Sequence, residues 1–97
     1  MDKIAVLLDP KDNCATCTEE VLPTQKVYMA ARPDERLTAC EQIPIWHKIA
    51  LCDLKKGDMV IKYGEIIGQT LCDIRKGGLI NHENLVSIPR DYSSEYI

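Results

Sequence analysis

The chain has 97 residues, with 12 Lys and Arg against 15 Asp and Glu, a formal charge of −3 and a pI near 5.3. That length supports one domain with a single modest core, and the acidic balance argues against a surface built to hold nucleic-acid phosphates. Hydrophobic residues make up 45% of the chain, yet there is no Phe and one Trp, so Ile, Leu, Val and Met must fill the core, a choice that favours strands.

No apolar run approaches the roughly 20 residues needed to span a bilayer, and residues 1–10 lack a cleavable secretory pattern. The expectation is a cytoplasmic protein with no membrane and no nucleic-acid partner. Five cysteines, an odd number scattered through apparent core strands, suit buried reduced thiols better than a disulfide framework.

In chain order, residues 4–8 form an aliphatic run closed by Asp9-Pro10, which predicts a first strand and a turn that proline enforces. Asp12-Asn13 then interrupts the apolar pattern. These side chains either bond to nearby backbone amides, as an Asx turn or helix cap, or face a ligand. Residues 14–18 fit a strand or one turn of helix. Cys14-x-x-Cys17 has the spacing of a metal or redox pair, but Cys40, Cys52 and Cys72 supply no second pair and no His lies at metal spacing, which favours small core residues.

Residues 26–30 read as a strand and residues 31–36 as a polar surface loop. A single helical turn around Leu37 and Cys40 would fit within residues 35–41, bracketed by Pro33 and Pro44. Trp46 is either a lid beside a functional histidine or a core or interface anchor. His47 and Lys48 precede a buried-looking strand over residues 49–52, so they should sit at a sheet rim. There Lys48 offers a fixed cation and His47 a group that titrates near neutrality, both suited to a carboxylate. A structural His and a solvated Lys would give the same letters.

From Asp58 the alternation predicts a strand with Lys62 on one face and Met59, Ile61 and Tyr63 on the other, ended by Gly64. Residues 66–71 form a further strand in which Gly68 marks a bulge or a close backbone approach. Across this region the sequence nearly repeats at an offset of twenty: Cys52-Asp53-Leu54-Lys55-Lys56-Gly57 lies over Cys72-Asp73-Ile74-Arg75-Lys76-Gly77. Each copy reads as a strand end, a tight turn whose glycine supplies positive φ, and a new strand. Residues 20–27 make a looser third copy with Pro23-Thr24 in place of the glycine turn. Two clear copies are too few for a solenoid.

After Leu79-Ile80 come Asn81-His82-Glu83-Asn84. If extended, His82 and Asn84 share a face and can orient a hydroxyl-rich ligand or contribute one metal ligand; as turn residues they would look the same. Residues 1–88 are assigned to the β domain and residues 89–97 to an extended arm whose two tyrosines suit docking.

Asp12-Asn13, His47-Lys48-Ile49-Ala50-Leu51, Lys62-Tyr63-Gly64-x-x-Ile67-Gly68 and the Gly77-Gly78 turn before His82-x-Asn84 together resemble the SAF domain of the altronate and galactarate dehydratase family, over residues from about 3 to 88. In that family the domain is the N-terminal part of a long dehydratase or a separate small subunit, as also in sulfolactate sulfo-lyase relatives. The resemblance implies a mainly β, β-clip fold of short strands and tight Gly turns with at most one or two short helices. The sequence departs from the family at Trp46, where glycine usually precedes the His-Lys pair, and at residues 81–84, where one histidine is missing.

The resemblance further implies a small subunit or N-terminal domain of a sugar-acid dehydratase, working with a larger dehydratase subunit or domain on an altronate-, galactarate- or sulfolactate-like hydroxy acid. Its chemistry would be β-elimination, with Fe²⁺ or Mn²⁺ bound mainly by the partner. His47 is the candidate catalytic residue. Lys48 is the carboxylate anchor, His82 and Asn84 contact hydroxyls, and Asp12 with Asn13 completes the substrate-binding rim. The alternative is a non-catalytic module that binds a sugar acid or docks onto a protein, and its exposed strand edges also suit a homo-oligomer.

Overall fold

Short β-branched segments separated by tight turns can close a core only by pairing with distant segments, and the chain does so throughout. The computed structural model describes residues 2–87. These form nine strands and no helix: β1 (Lys3–Val6), β2 (Cys14–Cys17), β3 (Lys26–Tyr28), β4 (Arg36–Thr38), β5 (Lys48–Ala50), β6 (Met59–Lys62), β7 (Glu65–Thr70), β8 (Leu79–Ile80) and β9 (Leu85–Ser87). Six of them make one sheet in the order β4-β3-β1-β2-β5-β8, and β6-β7-β9 make a second. All pairings are antiparallel except β1 with β3. The assigned arm over residues 89–97 lies outside the described residues.

The turn repeat organises this fold, and it has four copies. Turns begin at Leu22, Pro44, Lys55 and Arg75, each closed by the amide of the residue three on, at 2.8 to 3.1 Å. The third residue of each has positive φ: Thr24 at 73°, Trp46 at 66°, Gly57 at 90° and Gly77 at 88°. That is the type II pattern, whose third position demands a left-handed residue. The copies join as two pairs, through the bridges Val21 to Ile43 and Leu54 to Ile74.

Within each pair the hydrogen bonds are reciprocal. The Thr24 amide donates to the Ala39 carbonyl and the Trp46 amide to Cys17; Gly57 donates to Thr70 and Gly77 to Ala50. Each of those four acceptors returns its own amide to the next turn residue, Gln25, His47, Asp58 or Gly78. In the second pair the Asp53 carboxylate accepts the Lys76 amide and Asp73 accepts that of Lys56, both at 2.8 Å. Pro23, at the place of Lys56, has no amide to give. There the equivalent side chains of Gln42 and Glu20 bond to each other instead, at 3.0 Å.

Each pair centres one half of the core. Cys17, Val21, Ala39 and Ile43 belong to a cluster with Val27, Leu37 and Ile49, while Ala50, Leu54 and Ile74 belong to a second with Cys14, Val60 and Ile80. Strands β2 and β5 form the wall between them: Ala15, Cys17 and Ile49 face the first cluster, Cys14 and Ala50 the second.

Several local expectations change. Residues 36–38 are strand and not a helical turn, because Leu37 is buried between exposed Arg36 and Thr38, a period-two pattern that pairs with β3. Residues 14–17 are strand, hydrogen-bonded on both sides to β1 and β5. In β6 the inward residue is Val60, so Lys62 shares the core-facing side while Met59 and Tyr63 are exposed. Tyr63 and Gly64, at φ 60° and 72°, make the two-residue turn of the β6–β7 hairpin. Gly68 meets both of its expected roles, since the β6–β7 register shifts beside it and a Cβ there would sit 2.6 Å from the Val86 carbonyl oxygen.

Candidate functional site

Strand β5 carries the first candidates because the Pro44 turn delivers His47 directly into it. His47 is half-buried; its Nδ1 lies 3.0 Å from the Ile45 carbonyl oxygen, and its own carbonyl accepts the Cys17 amide. Lys48 opens the strand between two neighbours, opposite Thr16 on β2 and Ile80 on β8. The pairing of Lys48 with Ile80 places residues 81–84 at the same sheet end as His47. The structure therefore brings His47 and Lys48 to the segment that holds His82 and Asn84.

That segment is a turn and not an extended strand, so His82 and Asn84 do not share a strand face. Asn84 closes it: Oδ1 accepts the Asn81 amide at 2.9 Å and Nδ2 donates to the Leu79 carbonyl at 2.7 Å. Asn81 Oδ1 accepts the Glu83 amide as an Asx turn. His82 is exposed at the tip. Asn84 thus fixes the turn that presents His82, with both ends of its side chain engaged by the backbone.

Asp12 and Asn13 lie at the other end of β2. Asp12 is 4% exposed, and its two oxygens accept the amides of Tyr63 and Gly64 at 3.1 and 2.9 Å. Asn13 accepts the Ile61 amide at 2.8 Å and donates to the Met59 carbonyl at 2.9 Å. Both side chains bond to backbone, as a local cap would, but to backbone about fifty residues away. They clamp the β6–β7 hairpin onto the large sheet. The local Asx turn falls three residues earlier, where Asp9 accepts the Lys11 amide.

Two residues that sequence reasoning passed over adjoin β2, one of them opposite Lys48. Thr16 is its partner across β2–β5, and the Thr16 hydroxyl is buried without a hydrogen-bond partner in the protein. Lys62 lies on β6 next to Ile61, whose carbonyl accepts the Cys14 thiol at 3.5 Å, and its ammonium is 4.8 Å from the centroid of the Tyr63 ring. Burial pushes the Cys14 thiol up to about 11, against the opposing pull of the Lys48 and Lys62 charges and with a further upward push from Asp12. Burial alone pushes Cys17 up to about 11. Neither is poised as a thiolate nucleophile or metal ligand, and the other three cysteines are free and exposed. The parity of Val60 with Lys62 was the available signal for Lys62; Thr16 carried none.

Among the described residues no three His, Cys, Asp or Glu side chains converge where a metal ion could sit. The described side chains do not by themselves supply the ligands of an Fe²⁺ or Mn²⁺ centre. Among the described residues there is no helix long and apolar enough to cross a membrane. Three surface depressions of about 160 to 270 Å³ are lined by neither His47, Lys48, His82 nor Asn84.

The family pattern described as the altronate/galactarate dehydratase SAF domain matches residues 3–88. The chain is similar to the (2R)-sulfolactate sulfo-lyase subunit alpha of Paracoccus pantotrophus, with 53% identity over 58 residues covering 60% of this chain and 87% of that protein. It is also similar to galactarate dehydratase (L-threo-forming) of Escherichia coli (strain K12), with 40% identity over 53 residues, 55% of this chain but 10% of that protein.

Proposed function

The chain belongs to the altronate/galactarate dehydratase SAF-domain family, and from that membership we propose that it serves as the small subunit or N-terminal module of a lyase that eliminates a β substituent from a hydroxy acid, together with a larger catalytic partner. The observation that carries this reading is one of scale. The chain spans most of a protein that is itself named a subunit, and only a tenth of a complete dehydratase.

In the elimination a base removes the proton α to the carboxylate, the C–H electron pair forms the C=C bond, and the β substituent leaves as water after protonation or as sulfite. The resulting enol then tautomerises to the keto acid. A cation on the carboxylate stabilises the charge that grows during proton removal, and we assign that role to Lys48. His47, held through Nδ1 by the Ile45 carbonyl, can present its other ring nitrogen for proton transfer or hydrogen bonding. His82 contacts substrate from the turn that Asn84 shapes. We assign the divalent metal of this chemistry to the partner and derive no step through it.

The test is an elimination assay on hexaric, hexonic and sulfonated hydroxy acids with Fe²⁺ or Mn²⁺, run on this chain alone and with its co-purifying partner. Turnover is expected only with the partner, and His47→Ala should abolish it while the complex still forms. Absence of both activity and partner would overturn the lyase reading in favour of a binding or docking module.

A further inference from the structure

Tight packing of the fourth turn against the end of β4 brings a lysine of the second turn pair to the first half of the core. A Cβ on Gly77 would fall 2.1 Å from the Thr38 carbonyl oxygen, and the Cys40 amide donates to the Gly77 carbonyl at 3.0 Å. Lys76, one residue earlier, lines a depression of about 160 Å³ together with Met29, Leu37 and Leu51. Met29 and Leu37 are almost fully buried and Leu51 packs on the same core, so these three make an apolar floor. Leu51 follows β5 at the opposite end of the strand from His47.

The rim is cationic. Arg32, Arg36 and Lys76 line it with one carboxylate, that of Glu35. Both guanidiniums are held in place: Arg32 donates to the Pro10 carbonyl at 3.3 Å, while Arg36 donates to the Pro33 and Glu35 carbonyls, pairs with Asp2 and lies 4.6 Å from the centroid of the Tyr28 ring. Each keeps N–H groups without a partner among the described residues. Lys76 gives its backbone amide to Asp53, but its ammonium forms no ion pair among the described residues. With Glu35 and Asp2 set against the three cations, a single positive charge is left over.

An apolar floor beneath a surplus cation suits a ligand that is apolar at one end and anionic at the other. The volume limits the apolar end, because it falls below the roughly 300 to 1,000 Å³ of pockets that enclose a drug-sized ligand. One ring or a short branched chain fills it. We propose that this depression binds a small monocarboxylate with an apolar body, the body on Met29, Leu37 and Leu51 and the carboxylate among Arg32, Arg36 and Lys76. The site goes beyond the lyase reading and does not depend on it, since a hydroxylated sugar acid has no apolar end to offer the floor.

Benzoate, acetate and benzamide separate the two requirements: acetate keeps the charge without the ring, and benzamide keeps the ring without the charge. Each is titrated into the ¹⁵N-labelled full chain at low ionic strength and neutral pH. Benzoate should give saturable shifts at the amides of Arg32, Arg36, Leu37, Leu51 and Lys76, with acetate and benzamide each weaker by about tenfold. Lys76→Gln should lower benzoate affinity by about tenfold and leave that of benzamide unchanged. Lys56→Gln is the matched control, because Lys56 gives its amide to Asp73 as Lys76 does to Asp53 but does not line the depression. It should change nothing.

Acetate binding as tightly as benzoate would overturn the apolar floor, benzamide doing so would overturn the cationic rim, and either result ends the proposal. So would absence of saturable shifts, shifts confined to the His47 end of β5, benzoate affinity unaltered by Lys76→Gln, or an equal loss in Lys56→Gln. Phenyl phosphate binding more tightly than benzoate would overturn the assignment to a monocarboxylate.

Discussion

Asp12 and Gly64 are 52 residues apart in sequence and joined by a 2.9 Å hydrogen bond from the Gly64 amide to the buried Asp12 carboxylate. The second oxygen takes the Tyr63 amide, so one side chain holds both left-handed residues of the hairpin turn. Asp12→Ala would strand two amides, each costing about 1 to 3 kcal/mol when buried without a partner. We expect a loss of about 3 kcal/mol, read as a lower urea midpoint at unchanged slope. Asp12→Asn keeps one acceptor and should lose about half as much. An unchanged midpoint for Asp12→Ala would show that water replaces the carboxylate without penalty.

Trp46 holds the third position of its turn at φ 66° with its side chain 66% exposed. A non-glycine residue in that region carries a penalty of about 1 to 2 kcal/mol, and glycine gives back part of it through the entropy of the unfolded chain. Trp46→Gly should therefore raise stability by about 1 kcal/mol, measured by thermal or urea unfolding. Strained backbone of this kind collects at functional sites, and this one adjoins His47. If the indole serves the complex, the same variant will be more stable but less active or less well assembled.

The four turns also show how much of the molecule was legible. Copies at 52–61 and 72–81 announced themselves through glycine, and the copy at 20–27 through its apolar frame. The fourth was hidden because Trp46 occupies the glycine position, so local propensity pointed away from a left-handed turn. Strand existence and the mainly β fold followed from alternation and β-branched content. The clamp made by Asp12 and Asn13 depends on hydrogen bonds across forty or more residues, which periodicity along one segment does not encode. Asn84 was legible as a polar candidate, but its closure of the turn needed the backbone.

Cys14 and Cys17 set a pH dependence. Both folded-state values are raised to about 11 from an ordinary 9.0, chiefly by burial. Their contribution is fully present below pH 9 and is lost as pH rises towards 11, because the unfolded chain gives up those protons first. Each should remove about 2 to 3 kcal/mol over that window, seen as a falling urea midpoint between pH 9 and 11. Cys17→Ala should flatten the fall by about half. At pH 8, thiol labelling of the native chain should modify Cys40, Cys52 and Cys72 and spare Cys14 and Cys17 until denaturant is added; fast labelling of all five would contradict the burial.

Gly57 and Gly77 occupy equivalent positions at nearly equal φ, yet their surroundings differ, which lets strain be separated from crowding. A Cβ on Gly57 would meet only the Gln69 side-chain nitrogen, at 3.8 Å, whereas one on Gly77 would fall 2.1 Å from the Thr38 carbonyl oxygen. Gly57→Ala should cost the left-handed penalty alone, about 1 to 2 kcal/mol. Gly77→Ala adds the displacement of a backbone carbonyl, a crowding cost of about 1 to 3 kcal/mol more. It also disturbs the bond from the Cys40 amide to the Gly77 carbonyl, which ties the first pair of turns to the second. Urea unfolding of the two variants side by side should show Gly77→Ala the less stable by that margin. Equal losses would mean that the Thr38 segment yields freely, and the two halves of the core would then be less rigidly joined than their hydrogen bonds imply.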